Sequence, residues 1–437
     1  MTNAPVRFVK LNPADYGSKE SEQARRLARM TQGMRLIDID NVSRRTIIEG
    51  LRGNRNIPNF DPIMRVHHVQ RAKAEFIQAQ SEQLLEIVLP IRSFNEIGGL
   101  SSLKSYLKTR STLMRQGLNS PLVPSGLLLA GPPGTGKTII AEALALESGF
   151  NLVKMRNIQD KWVGSSERNL ELVINLLKDL HPVVVFIDEI DQALVRRDTG
   201  QSGDSGVGAR MFARILEEMG NTSNRGRILW VAATNRADII DPALLRRFDR
   251  VIPLLVPDVE ESCCIFANMI SSIIKQSYNN IIVAYGEDLQ QSGRRDASGR
   301  PAPTREDIDK FLIVAEKTVK MGLTGAAIDI IVHRAIELAY EDIIDTRQES
   351  TQQVFPLVGS RHLLAAIDDY KPNHNRIVYD HQALLAIRAS NFHSVIPPLP
   401  KSGFFARIQG EDGRIDPDQL EMAIREIEHH LRGGRYI

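Results

Sequence analysis

The stretch that most constrains this chain is Gly131-Pro-Pro-Gly-Thr-Gly-Lys-Thr138, which follows the apolar run at 126–130 and opens a helical pattern. Strand, glycine-rich turn and helix in that order are the context of a phosphate-binding loop. Glycines let backbone N–H groups curl around phosphate oxygens, so Pro133, Gly134, Thr135 and Gly136 read as a cradle. Lys137 is placed to neutralise the β and γ oxygens of a nucleoside triphosphate, and Thr138 to set its hydroxyl on Mg2+. A turn carrying Gly-Lys-Thr by chance would lack the flanking strand and helix.

About fifty residues downstream, Val183-Val-Val-Phe-Ile-Asp-Glu-Ile190 is an apolar strand ending in two acids. An apolar strand followed by Asp-Glu is common on its own and becomes specific beside a phosphate loop. Asp188 is then the residue that holds the metal, through water, and Glu189 the one that polarises attacking water. Trp230-Val-Ala-Ala-Thr-Asn235 ends a further strand in an amide, so Asn235 can orient that water from the far side of the γ-phosphate; a turn-forming Asn is the plainer reading. Asp241-Pro242 starts a helix, and Arg246, Arg247 and Arg250 are expected at its end.

Between 125 and 258, short apolar runs at 126–130, 151–155, 183–187, 228–233 and 250–255 alternate with helical stretches. That alternation predicts an α/β fold, a parallel sheet covered by helices. Upstream, 60–89 lacks Gly and carries apolar residues at three- and four-residue spacing, which predicts a long amphipathic helix. Beyond Pro257 the chain turns helical, interrupted at 286–304 by a polar, Gly-rich stretch read as a mobile insertion. A last helix at 417–431 is signalled by Asp416 as N-cap and Pro417 after it.

The boundaries that follow are a helical N-terminal region at 1–93, an ATPase domain at 94–258, a helical lid at 259–391 and a C-terminal tail at 392–437. Fifty-five basic and 53 acidic residues balance too evenly to point to nucleic acid or an anionic membrane. No apolar run reaches the roughly 18 residues of a membrane span, and no secretion signal opens the chain. The two cysteines, Cys263 and Cys264, are adjacent, too few for a zinc site and poorly placed for a bridge, and read as buried thiols in a reducing cytoplasm.

Taken in order, Ile97-Gly-Gly-Leu100, the phosphate loop, Lys161-Trp-Val-Gly164, the 186–191 FIDEID segment, the 233–235 ATN segment and Leu323-Thr-Gly-Ala326 resemble the AAA ATPases over roughly 94–391. The LLEIVLP run before Ile97, Ser202-Gly-Asp-Ser-Gly206 and the segment at 383–390 look closest to the hypothetical chloroplast reading-frame AAA proteins and their bacterial relatives. The resemblance implies ATP and Mg2+ as ligands, adenine contacts through Ile97, Gly98, Gly325 and Ala326, and a homo-oligomeric ring, usually a hexamer. It also implies that Arg247 and Arg250 reach a neighbour's γ-phosphate, and that Trp162 lines a central channel. The pattern departs from the family at Arg246-Arg247, where Arg-Pro-Gly-Arg is usual, at Ala327, where an acid is usual, and at Glu96 in place of Asp. The function so implied is a motor that remodels a protein partner. A nucleotide-gated switch and a nucleic-acid motor stay open, the latter disfavoured by the even charge.

Overall fold

The computed structural model describes residues 39, 40, 44, 81, 84–116, 122–155, 167–191, 214–276, 282–283, 305–346, 357–372, 375–400, 403–410 and 413–433. In chain order its first half holds β1 (Leu85–Val88), α1 (Ser101–Arg115), β2 (Gly126–Ala130), α2 (Lys137–Ser148), β3 (Asn151–Met155), α3 (Glu167–Asp179), β4 (Val183–Ile187) and β5 (Ile228–Thr234). There follow α4 (Pro242–Leu245), β6 (Arg250–Pro253), α5 (Val259–Gln276), β7 (Ile282–Val283), α6 (Arg305–Met321), α7 (Gly325–Thr346) and β8 (Leu357–Val358). Last come α8 (Ser360–Asp369), α9 (Arg376–Ala389), α10 (Gly403–Arg407) and α11 (Pro417–Gly433).

The chain divides into two compact units, one of residues 1–89 with 151–183 and one of 90–150 with 184–437. In the first, β1 pairs antiparallel with β3, Leu85 opposite Met155 and Val88 opposite Leu152. A helix running to 89, expected from the spacing, is therefore corrected at its end, and the rest of 60–80 lies outside the described residues. The strand wins because Pro90 forbids a continuing helix and the turn at Ser81 starts an extended run, with Leu85 N–H donating to Ser81 Oγ at 3.3 Å. In α3, Leu170, Val173, Ile174 and Leu177 are buried at helical spacing. Asn151 donates through its side-chain amide to the carbonyls of Leu180 and Pro182, at 3.0 and 3.2 Å, pinning the chain after α3 to the start of β3.

In the second unit the strands run in the order β4, β5, β2, β6, with β2 parallel to both β5 and β6. β2 and β5 are buried along their whole length, which is why both read as continuous apolar runs rather than alternating ones. The run at 250–255 forms a strand only to Pro253, although Leu254 N–H still donates to Ala130 O at 2.8 Å.

The lid elements α5 to α8 share a core that includes Phe266, Ile270, Val314, Ile328, Ile331 and Leu363. Among the last helices, Phe405, Ile408, Leu420 and Ile424 pack with Leu384 of α9 and with Leu255 just past β6. Asp416 caps α11 as expected, accepting from the N–H groups of Asp418 and Gln419 at 2.9 and 3.1 Å. The cysteines correct their expected burial: on α5, Cys263 is half-buried against the lid core and Cys264 is exposed, both as free thiols. Among the described residues no helix is long and apolar enough to cross a membrane. The insertion at 286–304 lies outside the described residues.

Candidate functional site

β2 delivers the chain into the phosphate loop and α2 takes it away, as the sequence predicts. Within the loop Thr135 Oγ1 donates to Pro132 O at 2.8 Å, and Lys137 Nζ donates to the carbonyls of Gly131 and Pro132 at 2.8 and 2.7 Å. Lys137 is 9% exposed, and this burial brings its ammonium pKa down to about 8, against the opposing pull of Asp188, Asp191 and Glu189. The four groups thus share one electrostatic neighbourhood. An anionic ligand carrying several oxygens would satisfy the lysine without the loop's own carbonyls.

Two backbone bonds bring the other strand ends to this loop. Gly131 N–H donates to Thr234 O at 3.2 Å, and Ile190 N–H donates to Ala233 O at 3.0 Å. Asp188 and Glu189 therefore leave β4 beside the point where Asn235 leaves β5. Glu189 is exposed and sits at φ 48°, its N–H donating to Asp188 Oδ1 at 3.1 Å. A non-glycine residue in that left-handed region costs on the order of 1 kcal/mol, and such strain gathers at working sites. Asn235 Oδ1 is buried without a hydrogen-bond partner. An acceptor left this way fits a site that takes in a polar ligand or its water.

Asp191 was not singled out from the sequence, although it ends the FIDEID segment. Thr234 Oγ1 donates to Asp191 Oδ1 at 2.8 Å and accepts from Arg236 N–H at 2.9 Å, so the buried acid fixes the residues on both sides of Asn235.

The loop at 97–100 docks on the lid. A Cβ on Gly98 would lie 2.3 Å from the Ile265 Cα, so only glycine permits this approach. Lys104 Nζ donates to Ile97 O at 2.9 Å, and Leu100 N–H donates to Glu261 Oε1 at 2.8 Å. Burial raises the Glu261 carboxyl above the ordinary glutamate range. From the other side, Ala326 N–H donates to Gly134 O at 3.2 Å. Gly134, at φ 78°, would as alanine carry a Cβ 2.5 Å from Thr324 Oγ1. Gly98 and Leu100 thus meet α5, the Ile97 carbonyl is held by Lys104 of α1, and Gly325 and Ala326 meet the phosphate loop itself.

The arginines separate. Arg246 and Arg247 follow α4 and are exposed, and Arg247 reaches over Gly220, where a Cβ would lie 2.6 Å from Nη1. Arg250 is not at the end of that helix, as expected, but is the first residue of β6, because α4 closes after one turn at Leu245. Its guanidinium stacks on Phe392, 3.7 Å from the ring centroid. Thr324 falls within the Leu323–Ala326 segment without a role of its own there, and nothing in the sequence signals Phe392. Trp162 lies outside the described residues.

A strand, a phosphate loop, two acids and an amide converging in this way agree with a family model: residues 127–255 match the ATPase family associated with various cellular activities, AAA. That segment is similar to the AAA domains of that family. Around it, this chain is 35% identical over 257 residues to Protein SAV of Sulfolobus acidocaldarius, covering 53% of this chain and 32% of that protein. It is 35% identical over 223 residues to Proteasome-activating nucleotidase 2 of Haloferax volcanii, covering 47% of this chain and 53% of that protein. The chain thus spans between a third and about half of the length of these relatives. A solved structure of the FIGL-1 AAA domain in complex with ADP superposes with a TM-score of 0.51 at 20% identity, covering 77% of this chain and 100% of that one. That likeness bears on the fold alone.

Proposed function

We propose that this protein is an ATP-hydrolysing AAA motor that assembles as a ring, a hexamer by family resemblance, and remodels, unfolds or disassembles a protein partner. The observation that carries the reading is the gathering of Lys137, Asp188, Asp191 and Glu189 in one neighbourhood beside the orphaned Asn235 amide oxygen. The phosphate loop from Pro133 to Thr138 would hold the ATP phosphates, and Thr138 and Asp188 would hold Mg2+, which when bound neutralises phosphate charge. Glu189 then draws a proton from water, and Asn235 Oδ1 accepts a hydrogen bond from that water and aims it. Ile97, Gly98, Gly325 and Ala326 close over the nucleotide from the lid side. Arg247 and Arg250 complete a neighbour's site.

Gripping of the partner falls to Trp162, whose neighbours in Asp160-Lys-Trp-Val-Gly-Ser-Ser166 are polar and whose flat ring suits varied polypeptide. Kinship with the chloroplast reading-frame proteins rests on the LLEIVLP and Ser202–Gly206 segments, and a reducing cytoplasm accords with two free thiols.

The experiment is a pair of variants. Lys137→Ala should abolish nucleotide binding, whereas Glu189→Gln should bind normally and turn over at least about 100-fold more slowly. Near-normal hydrolysis by Glu189→Gln would sink its role as base. The ATP-loaded Glu189→Gln form should also retain the partner in a pull-down. Turnover that no captured protein stimulates would favour the nucleotide-gated switch instead.

A further inference from the structure

Asp249, the acid next to Arg250 in sequence, is committed elsewhere. Its Oδ2 accepts from Ser125 N–H, Ser125 Oγ and Gly126 N–H at 2.6, 2.8 and 3.2 Å, and its Oδ1 accepts from Arg225 at 3.3 Å. Arg250 therefore opens β6 with no carboxylate partner among the described residues. What holds it is the Phe392 face and one bond from its own Nη1 to Asp249 O, at 2.7 Å. The residue before Phe392 clamps the same strand end: Asn391 Oδ1 accepts from Val251 N–H at 3.1 Å, and its Nδ2 donates to Asp249 O at 3.0 Å. Both residues come directly after Ser390, the C-cap of α9.

The choice of support matters chemically. A carboxylate would occupy the N–H edge of the guanidinium and cancel its charge. An aromatic ring holds the plane by its face and leaves the N–H groups, apart from the one donated to Asp249 O, open to an incoming oxyanion. Phe392 is 44% exposed, so burial of its own surface does not explain its place.

We propose that Asn391 and Phe392 are positioning residues that hold Arg250 for the γ-phosphate bound to a neighbouring subunit. The segment following α9 then sets the turnover of a site in another chain. This rests on the reading of Arg250 given above.

The test uses the full chain as Phe392→Ala, Phe392→Trp, Arg250→Ala and the Arg250→Ala/Phe392→Ala double variant. Nucleotide affinity, KM, kcat and thermal midpoint are read for each. Arg250→Ala should lose about 100-fold or more in kcat. Phe392→Ala should lose about tenfold in kcat with nucleotide affinity and KM unchanged, Phe392→Trp should recover most of it, and the double variant should be no slower than Arg250→Ala. Asn391→Ala, a variant that leaves the ring in place, should fall in the same direction by a few-fold. Normal kcat in both Phe392→Ala and Asn391→Ala, or losses that multiply in the double variant, would overturn the proposal while Arg250→Ala stays slow. Wild-type turnover in Arg250→Ala would remove the catalytic reading of Arg250 and this proposal together.

Discussion

Lys137 is a residue whose chemistry the fold alters strongly. Its ammonium is buried against two loop carbonyls, and its pKa falls from 10.5 to about 8. A lysine with a lowered folded pKa gives up its proton earlier in the folded chain than in the unfolded one. Between about pH 8 and pH 10.5 the unfolded state therefore binds more protons, and this group's contribution to stability rises with pH across that window. Nucleotide binding runs the other way, because phosphate oxygens need the charged form. Affinity should be flat below about pH 8 and should fall by up to about tenfold per pH unit above it. Titration of a fluorescent nucleotide across this range checks it; an unchanged affinity well above pH 8 would show that Lys137 remains charged in the free protein.

At the scale of elements, the decisive contact is between the phosphate loop and the first turn of α7. Gly134 and Ala326 share a backbone bond, and Thr324 Oγ1 occupies the space a Gly134 Cβ would need. Gly134→Ala should therefore weaken nucleotide affinity by roughly tenfold or more, from both the left-handed backbone and the clash. Adding Thr324→Ala removes the nearest atom and should restore part of the affinity. If the double variant binds as poorly as Gly134→Ala, backbone strain alone accounts for the loss. A second contact of this kind is the Thr234 hydroxyl on buried Asp191, and Thr234→Val should lower stability by about 1–3 kcal/mol in denaturant titration. An unchanged midpoint would mean that the acid finds water there.

These elements also mark what could be read in advance. The strands at 126–130 and 183–187 are continuous apolar runs, the one at 151–155 is apolar but for Asn151 and Lys154, and all three form where the sequence puts them. β1 reads as helix in the sequence because its apolar residues also satisfy helical spacing, and only its pairing with β3 decides between the two. Lys137, Asp188, Glu189 and Asn235 stand out in the sequence as candidates because each sits at the end of a strand or in a glycine-rich turn. The Asn391 clamp on Val251 spans 140 positions and leaves no local pattern. The sequence puts Arg250 at a helix end because nothing in Asp241-Pro-Ala-Leu-Leu245 announces that α4 stops after a single turn.

For the whole molecule, the arginines pose the question of how many chains make one active site. Arg247 lies exposed over Gly220, Arg250 rests on Phe392, and neither pairs with a carboxylate among the described residues. An unpaired cation at the surface has little to do for its own chain and much to offer an anion on another. If the arginines act in trans, subunits with Lys137→Ala still carry intact arginines, and subunits with Arg247→Ala or Arg250→Ala still carry an intact phosphate loop. Each variant alone should be nearly inactive. Mixed in equal amounts under conditions that exchange subunits, they should regain turnover, because roughly a quarter of the sites then combine an intact loop with an intact neighbouring arginine. Specific activity of the wild type should fall on dilution as the ring dissociates. Mixtures as inactive as their components, together with wild-type activity that stays constant per subunit down to the monomer, would place the arginines in their own chain's site and remove the ring from the mechanism.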